Sequence, residues 1–188
     1  MMPTPERDYV LATARELYGR VVYTHKTHEQ EREIWAKKAC NLNWINIGLT
    51  SITTFFAAIS VALKPTWALI ATAVSAAISV AFVVYQSSFD PAGKEGQQRT
   101  AAKELLWIRE QLLLLIGECL MPSVPLETLQ HSLEVLAREL TAVYKFAPNT
   151  SEEAFTKARK MLQSGRFTFT DDEIDGFLPP ALRKNKIA

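Results

Sequence analysis

The chain has 188 residues, a net charge of +1 and a hydrophobic fraction of 48%. That length allows one domain with a real core, and the near-neutral balance gives no global reason to expect nucleic acid or an acidic partner. The apolar residues are unevenly spread: residues 43–85 carry one formal charge, Lys64, while both flanks are densely charged.

The N-terminus, "MMPTPERDYV", shows no positive segment followed by an apolar run, so no signal peptide is expected. A long helix is predicted from about Glu6 to Cys40. Its apolar stripe is Leu11, Ala14, Tyr18 and Val21, which turns polar at His25, His28 and Arg32 and recovers at Trp35. A direct run of this helix into the first apolar stretch is open.

Residues 44–63 and 67–85 are apolar runs of about 19–20 residues. At about 1.5 Å per residue each reaches roughly 28–30 Å, the thickness of a bilayer's hydrocarbon core. Trp44 and Tyr85 fall at one level of a hairpin and Trp67 at the other, where headgroups favour aromatic rings. The connector Lys64-Pro65-Thr66 is short enough to force antiparallel helices, and Pro65 fits the first turn of the second. Arg7, Arg15, Arg20, Lys26, Arg32, Lys37 and Lys38 precede the spans, and Lys94, Arg99, Lys103 and Arg109 follow them. By the positive-inside rule both termini are cytoplasmic. The competing reading is a buried hairpin in a soluble bundle.

The first span is two-faced. Asn43, Asn46, Thr50, Thr53, Ala57, Ser60 and Lys64 follow a 3,4 spacing along one face, and Ile45, Leu49, Ile52, Phe56, Ile59 and Leu63 follow it along the opposite one. The apolar face is expected to meet lipid. The second span carries Thr72, Ser75 and Ser79 on one side and is rich in alanine. Two roles stay open for the small polar residues: packing between membrane helices, or lining a water-filled passage once several copies assemble. With no ionisable residue inside either span except Lys64 at the rim, a proton relay or voltage sensor is not expected.

After the spans, "QSSFDPAGKEG" is expected to break the helix and give a hinge. A helix from about Gln97 to Leu120 follows, with core positions Ala102, Leu105, Leu106, Leu112, Leu113, Ile116 and Leu120. The next starts near Pro125. Its residues Leu126, Leu129, Leu133, Leu136, Leu140 and Val143 form a heptad seam suited to a bundle core or to an oligomer interface. Another helix is predicted from about Ser151 to Gln163. Thr170-x-x-Glu173 is a capping-box pattern, and "ALRKNKIA" reads as a loose tail. The organisation is thus a cytoplasmic helix (1–42), a transmembrane hairpin (43–89) and a cytoplasmic helical region (90–188). The fold class is all-α, with the N-terminal and C-terminal helices forming a cytoplasmic bundle.

Candidate chemistry is sparse. Cys40 and Cys119 are too far apart in sequence to suggest a disulfide framework and read as reduced thiols. His25-x-x-His28 with Glu29 lacks the further ligands a zinc site needs. "GKEG" lacks the phosphate-loop spacing, and no serine elbow or basic stripe with interleaved aromatics is present. No cofactor, metal or nucleic-acid partner is expected, and the chain does not read as an enzyme.

The layout as a whole resembles a known family. "EREIWAKKACNLNWINIGLTSITTFFAAI" leads into two spans, "AAKELLWIREQLLLLIGECL" follows them, and "TDDEIDGFLPPALRK" ends the chain. From about residue 5 to about 183 this looks like the SLATT domain, the two-transmembrane effector associated with nucleotide-second-messenger systems in bacteria. The resemblance lies in the order of parts rather than in any short motif. It implies a membrane effector of an anti-phage or conflict system, located in the inner membrane. A sensor or signal-producing partner would trigger it to oligomerise and make the membrane leaky. The alternative is a membrane-anchored module whose hairpin only localises a partner-binding bundle.

Overall fold

A computed structural model describes residues 5–162 and 171–183. Among them 90% are helical and none lies in a strand. The elements are α1 (Pro5–Leu63), α2 (Thr66–Phe89), α3 (Pro91–Cys119), α4 (Leu126–Phe146), α5 (Glu152–Leu162), α6 (Asp171–Phe177) and a 3-10 turn (Pro180–Leu182). The chain divides into two compact units, Glu33–Gly96 and the remainder. Residues 33–42 and 90–96, which the sequence assigns to the flanking regions, therefore belong with the hairpin.

The helix α1 has Pro5 at its start and Glu6 and Asp8 in its first turn, where they complement the positive helix end. It continues without interruption to Leu63. Lys64 then takes a left-handed φ of 56° and Pro65 an extended φ of −76°. The turn is shorter than expected, and Thr66 already belongs to α2. Pro65 caps that helix rather than entering it, and its carbonyl accepts from the Ala68 amide at 3.1 Å.

In the hairpin unit, Phe56 meets Trp67 (ring centroids 6.4 Å apart), Thr53 meets Ser79, Asn43 meets Gln86 and Trp35 meets Phe89 (5.5 Å). The pairing runs in opposite senses along the two helices, so they are antiparallel. The outer surface is apolar and uncovered: Trp44, Ile47, Phe55, Leu69, Ile70, Val80 and Val84 are all exposed. None of the most apolar stretch of α1 is buried, and only 11% of that in the following helix. A soluble protein rarely leaves so large an apolar patch open, and lipid is the solvent that suits it.

The α2–α3 break is tighter than its composition suggests. It consists of Asp90 alone, with φ 41°. The Asp90 amide donates to Gln86 O (3.0 Å), closing α2, and its carboxylate accepts from the Gly93 amide (3.0 Å), capping α3. Pro91 fills the first position of α3. The predicted start near Gln97 is therefore too late, because Gly93 and Gly96 sit inside the helix. A β-carbon at Gly93 would lie 2.0 Å from Asp90 Oδ2, so glycine leaves room for the cap.

The second unit is a helical bundle. Val10, Ala14, Tyr18 and Val21 of α1 pack with Leu105, Ile108, Leu112, Leu115 and Ile116 of α3, Leu129, Leu136 and Leu140 of α4, and Ile174 and Leu178 near the C-terminus. Each large aliphatic side chain fully withdrawn from water contributes about 1.5–3 kcal/mol. Two expected core positions lie outside: Leu106 is 38% and Leu120 49% exposed. Ile108 and Leu115 take the buried positions, because the face that α1 and α4 cover is turned from the one chosen by counting leucines. Arg7 of α1 donates to the carbonyls of Met121 (2.6 Å) and Val124, holding the α3–α4 loop. Thr170 of the expected capping box lies outside the described residues. Part of the expected loose tail is packed: Leu182 lies against the core, and Arg183 Nε donates to Leu178 O at 3.0 Å.

Candidate functional site

The polar face of the first span divides in two. Asn46, Thr53, Ala57 and Ser60 turn toward α2 and are half-buried, whereas Asn43 and Thr50 stay exposed. On α2, Thr72 and Ser75 are half-buried and Ser79 is buried. Thr53 Oγ1 lies 3.3 Å from Ser79 Oγ across the hairpin, and Gln86 Nε2 donates to Asn43 Oδ1 at 2.7 Å. Most of the predicted stripe is therefore helix-packing surface in the single chain. The expectation that the whole apolar face meets lipid also needs correction. Leu49, Phe56 and Ile59 are half-buried, because the groove α2 occupies takes part of that face too.

The exposed edge of the polar sector is Asn43, Thr50, Ser51 and Thr54. Ser51 and Thr54 were not singled out by the 3,4 spacing, since they sit just outside it. Their angular neighbourhood to Thr50 at 100° per residue is the signal that finds them. Thr50, Ser51, Thr53 and Thr54 each donate to a carbonyl of the preceding turn, at 2.7–2.9 Å. Thr72 and Ser79 do the same in α2. The hydroxyl protons are thus spent within each helix, and the oxygen lone pairs remain able to accept. Asn46 Oδ1 is buried and accepts no hydrogen bond.

The bundle unit carries a polar layer where the stripe of α1 turns hydrophilic. His25, Thr27, His28, Gln30, Glu31 and Gln98 are all buried. His28 Nδ1 lies 2.5 Å from Gln98 Oε1, an acceptor, so Nδ1 donates in that bond, while Gln98 Nε2 donates to Asn149 O (2.9 Å). Glu31 accepts from both the amide and the hydroxyl of Ser151 (2.8 and 2.5 Å), and Ser151 Oγ accepts in turn from the Ala154 amide. This chain of bonds fixes α5 to α1, with Ser151 as its N-cap. Tyr18 donates to Phe177 O at 3.2 Å, and burial raises its pKa.

Burial also pushes the His25 imidazole below its ordinary value, against the opposing pull of Glu29 at 3.9 Å and helped by Arg109. Burial acts on Glu29 in the raising sense, but the Lys26 ammonium at 2.9 Å and His25 outweigh it and hold the carboxyl low. A histidine depressed in the folded state binds its proton more readily when unfolded. Stability is then lost as pH falls below about 6.5, toward the lower folded value. Thermal melts in detergent between pH 7.5 and 5.5 are expected to show this loss, and His25→Gln to flatten it. An unchanged slope in that variant would remove His25 as its source.

The heptad seam of α4 faces the bundle. Leu129, Leu136 and Leu140 are buried in the core, and Leu126, Leu133 and Val143 pack at its margin. Cys119 is buried, with its thiol pKa raised by burial, and Cys40 is exposed; both are free. Among the described residues no group of three or more His, Cys, Asp or Glu side chains is placed to hold a metal ion.

An exposed apolar hairpin joined to a helical bundle is also what the family comparison finds. The model of the SMODS and SLOG-associating 2TM effector domain family 4 (SLATT) matches residues 11–173. The chain belongs to this family. SLATT domains are two-transmembrane effector domains associated with conflict and anti-phage systems, and they are not known as an enzyme family. In this SLATT chain the two helices long and apolar enough to cross a membrane are α1, through its second part, and α2. No curated protein and no solved structure matches it.

Proposed function

We propose that this SLATT protein is a bacterial inner-membrane effector that assembles on demand and lets ions through. One hairpin cannot enclose a passage, so several copies are needed. The observation that carries the reading is the exposed row Thr50, Ser51 and Thr54 on a helix otherwise clad in apolar side chains. Pure packing against α2 does not account for that row, because it points away from α2. Lone pairs on these oxygens suit a water-filled interior, and the lack of charge within the spans suits a passage of low charge selectivity. The lysines and arginines on both flanks favour cytoplasmic termini. The trigger is a sensor or second-messenger-producing partner, in keeping with the family's association. The expected result is loss of membrane potential, read with a voltage-sensitive dye, in bacteria expressing the chain with its active trigger. A polarised membrane despite confirmed insertion would sink the proposal.

The second reading is an anchored interaction module. It is favoured by an uncovered apolar trough of about 590 Å³ between α3 and α4, where Trp107 is 60% and Phe146 80% exposed. On that reading a foreign two-span hairpin in place of residues 43–85 would preserve function.

A further inference from the structure

A cleft in the bundle unit separates the His25–Arg32 stretch of α1 from the Arg99–Leu106 stretch of α3. Its volume is about 470 Å³, and its lining includes the charged Glu29, Arg32, Arg99 and Lys103 beside His25. Small-molecule sites have volumes of about 300–1,000 Å³, whereas a helix or peptide strand needs a longer trough. We propose that this cleft binds a phosphate-bearing anion.

Three observations converge on that chemistry. The first is charge. Arg32, Arg99 and Lys103 set against Glu29 give the lining a net charge of +2, while the whole chain carries only +1. The Glu29 carboxylate is moreover already bonded to Lys26 Nζ at 2.9 Å, outside the lining.

The second is an unmet donor. Arg32 Nε is buried and has no hydrogen-bond partner. Buried donors are nearly always satisfied, and an orphan on a permanently charged guanidinium calls for an acceptor that is itself anionic. The third is the type of donor. Arginine offers planar paired N–H groups that match phosphate oxygens two at a time, and lysine adds a point charge. The apolar stems of Ala102 and Leu106 line the same cleft and keep part of it dry, which strengthens such bonds.

A phosphate of this kind belongs either to a soluble phosphoester or to an anionic phospholipid headgroup. The site stands on its own residues, whether or not the hairpin conducts. The test uses the full chain in nanodiscs. In one arm, inorganic pyrophosphate is titrated by calorimetry into protein held in phosphatidylcholine alone. In the other, thermal stability is compared between phosphatidylcholine discs with and without phosphatidylglycerol.

Binding in the first arm assigns a soluble phosphoester, and stabilisation in the second arm alone assigns a headgroup. In either case Arg32→Gln should weaken the effect about tenfold or more, while Arg32→Lys should retain much of it. Lys103→Gln, at an exposed position that does not threaten folding, should weaken it less and reduce its dependence on salt. No response in either arm overturns the proposal. So does a response that Arg32→Gln and Lys103→Gln both leave unchanged.

Discussion

Thr50→Leu combined with Thr54→Leu is expected to reduce triggered ion leakage to background while leaving the protein in the membrane at its normal level. Both side chains are exposed on α1, on the side turned away from α2. Leucine adds apolar surface, so insertion is favoured rather than opposed. The same change turns a wettable wall into a hydrophobic constriction, which closes to ions by excluding water. The matched control is Thr53→Val with Ser79→Ala, which removes the 3.3 Å contact inside the hairpin. Both hydroxyl protons already go to carbonyls of their own helices, and even true interhelical hydrogen bonds in membranes average about 0.6 kcal/mol, so the control should loosen the hairpin slightly at most and leave conduction largely intact. Dye release from vesicles reads both. Equal leakage from the double-leucine protein and the parent would overturn a passage lined by this edge.

The second large effect is expected in the bundle unit. Asp175→Ala should destabilise the bundle by about 3 kcal/mol, the lower part of the range for stripping one partner from a buried ion pair. Arg15 and Asp175 are both buried, with Nη2 2.5 Å from Oδ1. Arg15 also donates to Leu182 O at 3.2 Å. Asp171, half-exposed and 3.7 Å away, is a partial substitute, which sets the estimate low in its range. Removing both charges with Arg15→Met and Asp175→Leu should cost far less, because no charge is then left stranded in the core. Chemical denaturation in detergent measures both. A single variant no worse than the double would show that the pair is not what holds α6 and the final turn onto α1.

That pair shows where reading along the chain fails. Arg15 lies on the apolar stripe of α1, and Asp175 is 160 residues away in a short acidic run. Neither carries a local mark of the other. The two long apolar helices were legible because every residue of such a run carries the signal, while the sequence left the joining of the first of them to the N-terminal helix open. The seam of α4 was legible for the same kind of reason, a period repeated often enough to stand out. The division of the first span's polar face was not. Periodicity names a face, but which edge of it a neighbouring helix covers depends on packing that no single helix encodes. Asp90 misled for a different reason: proline and two glycines suggest a long break, yet proline starts a helix well and Gly93 makes space for its cap.

The hydroxyl bonds within the spans bear on how such a protein can be kept in readiness. Each serine and threonine proton on the exposed edge already rests on a carbonyl of its own helix. The hydroxyls of that edge therefore present no free donor that hydrocarbon would penalise. Insertion and association are then separate thermodynamic events. On the proposed reading, single copies can reside in a bilayer without conducting. On that reading, conduction is set going by whatever brings copies together, and not by the cost of entering the membrane.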